Sequence, residues 1–329
     1  MPFKMVWSTD WHVADNAPAM RIDDYTEATF AKITQIRKLC KAAKADICLI
    51  GGDVFHVKTS AKVRHALVAR LIEEFQRFPC PVWSIVGNHD ISHNNLVTLP
   101  EKPLGVVFSS GSLHMLEDET FTSADGVKVR IHGKHFDPKI ELDHFDELKK
   151  GDEDWLAVAY HGYACVIGES YPGETTFKYS DLAKLEPDDW FFGHWHIDQG
   201  IEVLDKKQFV NIGSLTRGAL NLENVTRSPK AVLCTYTKEG RKFQQVKLKV
   251  ESADAVFDIR KKERTDREQT LINEFIENLR AETEGTAEDS SSEISKRITS
   301  LRLESGVRSK VISLLEDAEI ELATARAGG

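Results

Sequence analysis

The first hundred residues alternate short apolar runs with longer amphipathic ones, and each apolar run stops in a loop rich in Gly, Asp, Asn or His. Phe3 to Trp7, Asp46 to Ile50 and Val82 to Val86 have the character of buried strands, and helices are predicted near 25–43 and 60–76 between them. This β-α-β-α-β order folds as a largely parallel sheet covered by helices, with the reactive loops gathered at the strand C-terminal ends. Further strands are predicted at 127–132, 155–160 and 190–193. After them come 199–204, 208–212, 230–237 and 242–249 with little helix between, so this later part is expected to pair mainly antiparallel.

Near residue 250 the pattern changes. Leu271, Ile272, Phe275, Ile276 and Leu279 fall at helical spacing, and residues 282–293 then carry five acids, three serines and no basic side chain, the composition of a solvated tether. Beyond it Ile294, Ile298 and Leu301, then Val311, Ile312 and Leu315, mark one or two amphipathic helices broken at Ser305-Gly306. The expected division is 1–250 and 251–329. With 41% hydrophobic and 29% charged residues the chain can bury a core, which excludes disorder as its main state. It offers no run for a signal peptide or a membrane helix, so a cytoplasmic protein is expected. The odd set of five cysteines lacks a C-x-x-C pair and reads as reduced thiols. A net charge of -9 argues against coating nucleic acid through global charge but leaves room for a local cleft.

Five short motifs follow predicted strands: Asp10-Trp11-His12, Gly52-Asp53, Gly87-Asn88-His89-Asp90, His161-Gly162 and Gly193-His194-Trp195-His196. Residues at i and i+2 of an extended segment share a side, so Asp10 with His12, and His194 with His196, are each placed to grip one ion. Gly52, Gly87 and Gly193 let the backbone turn where a β-carbon would collide. Asp10, His12, Asp53, Asn88, His161, His194 and His196 make a mixed oxygen and nitrogen set suited to manganese, iron or zinc. Seven ligands exceed one open site and suit two ions sharing a carboxylate, for which Asp53 is the expected bridge. Of the twelve histidines, His12, His161, His194 and His196 with His56 and His89 are assigned to the site, and His65, His93, His114, His132, His135 and His144 read as ordinary hydrogen-bonded residues; His132, at the end of an apolar run, is the strongest rival to His161.

In this order the five motifs resemble the signature of the calcineurin-like metallophosphoesterase superfamily, over roughly residues 1–220. The resemblance implies an α/β fold, a four-layer αββα sandwich, here with a small helical C-terminal extension. It implies one ion on Asp10, His12, Asp53 and His196, and another on Asp53, Asn88, His161 and His194. Within the superfamily, Ser8-Thr9-Asp10-Trp11-His12, Gly51-Gly52-Asp53-Val54-Phe55-His56 and Gly213-Ser214-Leu215-Thr216-Arg217 are similar to the SbcD-like nuclease subunit of DNA double-strand-break repair complexes. Asp90, and Val54-Phe55 in place of an Asp-Arg-Gly turn, separate the chain from the phosphoprotein phosphatases.

The expected activity is therefore a two-metal DNA nuclease, exo- or endonucleolytic, using water acidified between two divalent ions, most simply Mn2+, against a phosphodiester. His89 is the candidate for transition-state stabilisation or leaving-group protonation, Asp90 for orienting its ring, and His56 for positioning the phosphate. The basic residues of 56–77 (Lys58, Lys62, Arg64, Arg70 and Arg77) are candidates for DNA contact. The resemblance implies an SbcC-like coiled-coil ATPase as partner for the C-terminal helices, with homodimerisation left open and no membrane partner. About 80 residues follow position 250, which implies a short DNA-recognition cap or none. The rival reading is a phosphodiesterase or phosphatase acting on a small molecule or nucleotide. A catalytically silent scaffold is disfavoured because no ligand position is replaced.

Overall fold

The computed structural model describes residues 1–56, 62–166 and 174–265, with 267, 269–271 and 273. The chain opens with β1 (Phe3–Ser8), α1 (Tyr25–Ala43), β2 (Ile47–Ile50), α2 (His65–Gln76) and β3 (Val82–Ser84), the alternation its sequence predicts. Next come α3 (Pro103–Ser109), β4 (His114–Met115), β5 (Asp118–Thr122), β6 (Lys128–Lys134), β7 (Trp155–His161), β8 (Tyr163–Cys165) and β9 (Thr176–Lys178). The remainder holds α4 (Tyr179–Leu182), β10 (Asp189–Gly193), β11 (Asp198–Leu204), β12 (Lys207–Ile212), α5 (Leu222–Thr226), β13 (Lys230–Tyr236), β14 (Arg241–Lys247) and α6 (Ala253–Val256).

Two mixed six-stranded sheets stack face to face, in the orders β14-β13-β1-β2-β3-β4 and β11-β12-β10-β7-β6-β5. The period-2 alternation of side chains makes the layers. Phe3, Met5 and Trp7 of β1, with Ile47 and Leu49 of β2, point between the sheets, where Trp7 meets Phe191 at a ring separation of 5.2 Å. Val6, Cys48 and Ile50 point the other way, onto Phe30, Ile33, Ile36 and Cys40 of α1 and Leu67, Leu71 and Phe75 of α2. On the outer face of the second sheet, Trp190 and Phe192 pack with Phe145, Tyr179 and Leu182. The result is the expected helix-sheet-sheet-helix sandwich, with a thin fourth layer. Helix α1 begins where the Asp24 carboxylate accepts from Glu27 N at 3.0 Å, and ends at Lys44, whose φ of 51° stops the helix.

The later strands pair mainly antiparallel, as expected: β11 with β12, β13 with β14 and β13 with β1. At the centre of the second sheet β12, β10, β7 and β6 run parallel, flanked by the antiparallel pairings of β11 with β12 and β5 with β6. Parallel neighbours need long crossovers, and among the described residues those from β6 to β7 and from β7 to β10 hold no helix longer than four residues.

Residues Met1–Phe257 form one compact unit and Asp258–Gly329 a second. In the second, residues 259–265 are helical. Ile272, Phe275, Ile276 and Leu279, the acidic tether 282–293 and the apolar stripes from Ile294 to Leu315 lie outside the described residues. Among the described residues no helix is long and apolar enough to cross a membrane.

Candidate metal centre

β1, β2, β3, β7 and β10 all end at one edge of the sandwich, and the five motifs follow those ends. Asp10, His12, Asp53 and His196 offer ligand atoms within 4.8 Å of one another, as do Asp53, His161 and His194. Asp53 belongs to both groups. Its Oδ2 lies 3.7 Å from His12 Nε2 and its Oδ1 3.5 Å from His161 Nε2, so one carboxylate faces each group with one oxygen. Asn88 joins the second group through Oδ1, 3.0 Å from His194 Nδ1 and 3.3 Å from His161 Nε2.

The proton positions explain why a cation fits here. His161 Nδ1 lies 2.6 Å from Gly51 O and His194 Nε2 lies 2.7 Å from a Glu174 oxygen; each contact needs the proton on that nitrogen. His161 Nε2 and His194 Nδ1 are then the nitrogens left facing Asn88 Oδ1, where each can take a metal ion or, on a charged ring, a proton. In the first group His12 Nε2 and His196 Nε2 face each other at 2.9 Å. Asp53 Oδ2 is buried without a hydrogen-bond partner. These residues suit a pair of divalent ions.

The electrostatics agree. Burial works to raise the Asp10 carboxyl, but the His196 and His161 rings outweigh it and hold it at about 2. Burial likewise opposes the ionisation of Asp53, yet His161 and His12 keep it well below the usual carboxylate range. Burial opposes a charged His161, but Asp53 and Asp10 push it up to about 9, and His196 is raised against burial by Asp10. Without ions, protons on these rings serve as the countercharge that metal uptake would displace.

The turns are strained and clamped. Asp10, His12, Asp53 and His194 adopt φ of 51°, 45°, 48° and 82°, left-handed conformations costing non-glycine residues roughly 1–3 kcal/mol each. His12 N donates to Asp53 O at 2.9 Å, Leu215 N to Thr9 O at 3.0 Å, and Thr9 Oγ1 to Asp10 Oδ2 at 2.6 Å. The backbones press close: a β-carbon on Gly87 would stand 2.1 Å from Asp53 Oδ1, and one on Gly193 2.2 Å from Gly51 O.

His56 and His89 complete the site. Their rings stack at 5.4 Å and both meet the ring of His12 edge-on. With His12 they form a third close group, which lacks the carboxylate that balances charge in the other two. His89 Nδ1 lies 2.7 Å from His56 O, so the backbone carbonyl orients the ring. The role expected of Asp90 is corrected accordingly: its carboxylate accepts from Gly87 N, Phe55 N and Val54 N at 3.0–3.3 Å and ties the two loops together, away from the His89 ring. Burial and the Asp53 charge push Asp90 up to about 7.

His132 stands apart from the site, near Asp118 at 3.8 Å, and His161 takes the position for which the two were rivals. Glu174, the partner of His194, escaped the sequence reading because it lies in an irregular stretch with no motif around it. The basic segment 56–77 is largely neutralised: Arg64 pairs with Asp15 at 2.6 Å, Arg70 with both oxygens of Glu27, and Arg77 with Glu74 at 3.1 Å. Lys62 has no ion pair among the described residues, and Lys58 lies outside them.

The family model for the calcineurin-like phosphoesterases matches residues 3–198. No curated protein matches the sequence. Among solved structures, the chain is similar to a novel archaeal phosphodiesterase at 13% identity, covering 75% of this chain and 100% of that one with a TM-score of 0.38. It is also similar to the protein TT1561 of Thermus thermophilus (11% identity, 76% and 100% covered, TM-score 0.46). A dimetal phosphatase from Danio rerio matches at 10% identity, with 76% and 100% covered and a TM-score of 0.44.

Two outcomes are expected. Asp53→Asn should weaken both ions, measured as bound manganese per chain; two ions retained at undiminished affinity would remove the bridge. Glu174→Ala should cost roughly 10–100-fold in affinity for one ion, the effect typical of losing the carboxylate behind a ligating histidine. An unchanged calorimetric titration would show that Glu174 does not position His194.

Proposed function

Because the chain belongs to the calcineurin-like phosphoesterase family, and is thereby a metal-dependent phosphoesterase, we propose that it hydrolyses phosphodiesters of small-molecule or nucleotide size. Asp10, His12, Asp53 and His196 would hold one ion, and Asp53, Asn88, His161 and His194 the other. The observation that carries this reading is the Asp53 carboxylate, shared by the two groups and buried with one oxygen unsatisfied. When bound, two such ions acidify water and neutralise charge developing on phosphoryl oxygens. The imidazole-rich ligand set favours manganese over magnesium, which prefers an all-oxygen octahedron.

The chain's own side chains supply the rest. His89 is held at two points, by Nδ1 on His56 O and by its backbone N on Asp53 Oδ1 at 2.8 Å. Its Nε2 is thereby left as the atom that gives or takes a proton at the leaving oxygen. His56, stacked on it, offers a second polar edge for a phosphoryl oxygen. Burial, with the His89 charge adding to it, lowers the His56 ring below its ordinary value, so His56 acts as a neutral donor or acceptor. The internal pairing of Arg64, Arg70 and Arg77, on a chain of net charge -9, supports a small substrate over a duplex.

The second reading is a DNA nuclease. The exposed His196, 48% accessible, leaves the mouth of the site open to a polymer end, and the Gly51–His56 and Gly213–Arg217 runs resemble the repair-nuclease branch.

Purified protein with manganese, given bis(p-nitrophenyl) phosphate, a cyclic nucleotide, linear duplex DNA and single-stranded DNA, separates the two. Turnover of the small diesters with DNA left intact is the expected result; efficient DNA cleavage would replace the first reading by the second. His89→Asn should retain both ions and lower kcat by about 10²–10⁴. Loss of metal in that variant would make His89 a ligand and overturn its role.

A further inference from the structure

A cavity of about 420 Å³ opens between the start of α1, the loop carrying Arg217 and residues 249–256, and none of the metal-centre residues lines it. Three cationic side chains reach it and are almost fully buried: Arg21, 2% exposed, and Lys32 and Arg217, each 4%. Arg21 is neutralised by a two-pronged pair with Asp23, both contacts at 2.7 Å. Lys32 and Arg217 are not. Among the described residues neither has a carboxylate within ion-pair distance; Lys32 Nζ donates to Ala28 O at 2.8 Å and Arg217 Nη2 to Glu251 O at 2.6 Å, both backbone carbonyls.

Of the acids lining the cavity, Asp23 is paired with Arg21, Asp24 caps α1 and Glu27 is paired with Arg70, while the exposed Glu251 and Lys249 add one charge of each sign at the rim. Two buried cations from separate elements thus border one cavity with no carboxylate within ion-pair distance of either, an arrangement costly unless something pairs with them. The charge state of Lys32 points the same way. Burial, with Arg21, Arg217 and Arg227 around it and only Asp23 opposing them, lowers its ammonium to about 7.

We infer that this cavity binds the phosphate of a phosphomonoester of nucleotide size, at a site separate from the metal centre. The planar fork of Arg217 and the point charge of Lys32 match phosphoryl oxygens. The volume lies in the range of ligand pockets and exceeds what a lone phosphate fills, while Ala28, Ala31, Val250 and Val256 provide an apolar wall for the rest of the molecule. The cavity also connects to the chemistry. Arg217 ends a loop in which Leu215 N donates to the carbonyls of Thr9 and Asp10, and Ser214 N donates to His196 O. An occupant that grips Arg217 therefore bears on the turns that frame the first ion group.

The test is calorimetry on the manganese-loaded full chain with AMP, inorganic phosphate and adenosine. Asp53→Asn, Lys32→Met and Arg217→Gln are titrated in parallel, because AMP also meets any ions at the metal centre. AMP binding that survives Asp53→Asn, weakens at least tenfold in Lys32→Met and in Arg217→Gln, and exceeds that of phosphate is the expected result, with adenosine alone not binding. Lys32→Met removes a buried charge and should melt no lower than the parent without ligand. Should one cavity variant fail to fold, the other decides. AMP binding unaffected by both substitutions, or abolished by Asp53→Asn, would overturn the site. AMP binding no tighter than phosphate would overturn the assignment of ligand size.

Discussion

Buried carboxylates and imidazoles crowd together at the edge of this sandwich, and their charge must be balanced there by protons or by cations. Asn88 Oδ1 stands within 3.3 Å of two imidazole nitrogens whose rings are each anchored from behind, one by the Gly51 carbonyl and one by Glu174. These anchors fix the rings, and the turns, where Asp10, His12, Asp53 and His194 adopt positive φ, are held by hydrogen bonds to neighbouring loops. The face-to-face sheets supply the rigidity that makes such preorganisation persist. Trp7, Leu49 and Phe191, packed between them, fix the strand ends whose loops carry the ligands.

Much of this was legible in the chain itself, for a definite reason. A strand buried on both faces must be apolar throughout, and a loop at a crowded site must hold Gly beside polar ligands. β1, β2, β3, β7 and β10 with their five motifs therefore announce themselves locally. β5, Asp118–Thr122, is an exposed edge strand with a charged and polar sequence and carries no such signal. Nor does the order of strands in the second sheet, because whether Phe191 lies beside Ala159 in parallel depends on a crossover whose described residues hold no helix longer than the four-residue α4.

The site shows the same division. Ligand identities follow from motif and spacing, but the groups behind the ligands do not. Glu174 reaches His194 across a segment without pattern, and His56 acts on His89 through its backbone carbonyl, which any residue type possesses. Asp90 shows the opposite hazard. Adjacent to His89 in sequence, it projects to another side and fastens the Val54 and Phe55 amides instead.

One pair of contacts carries a consequence for how such a centre assembles. The backbone N of His194, whose ring belongs to one group, donates to both oxygens of Asp10, which belongs to the other, at 3.1 Å each. The backbone N of His89 holds the shared Asp53 in the same way. The carboxylate that would face one ion is thus aimed by the peptide that would present a ligand to its neighbour. The two halves are thus joined through the main chain, so a substitution that displaces the Gly193–His194 peptide disturbs the carboxylate of the opposite group as well as its own ligand.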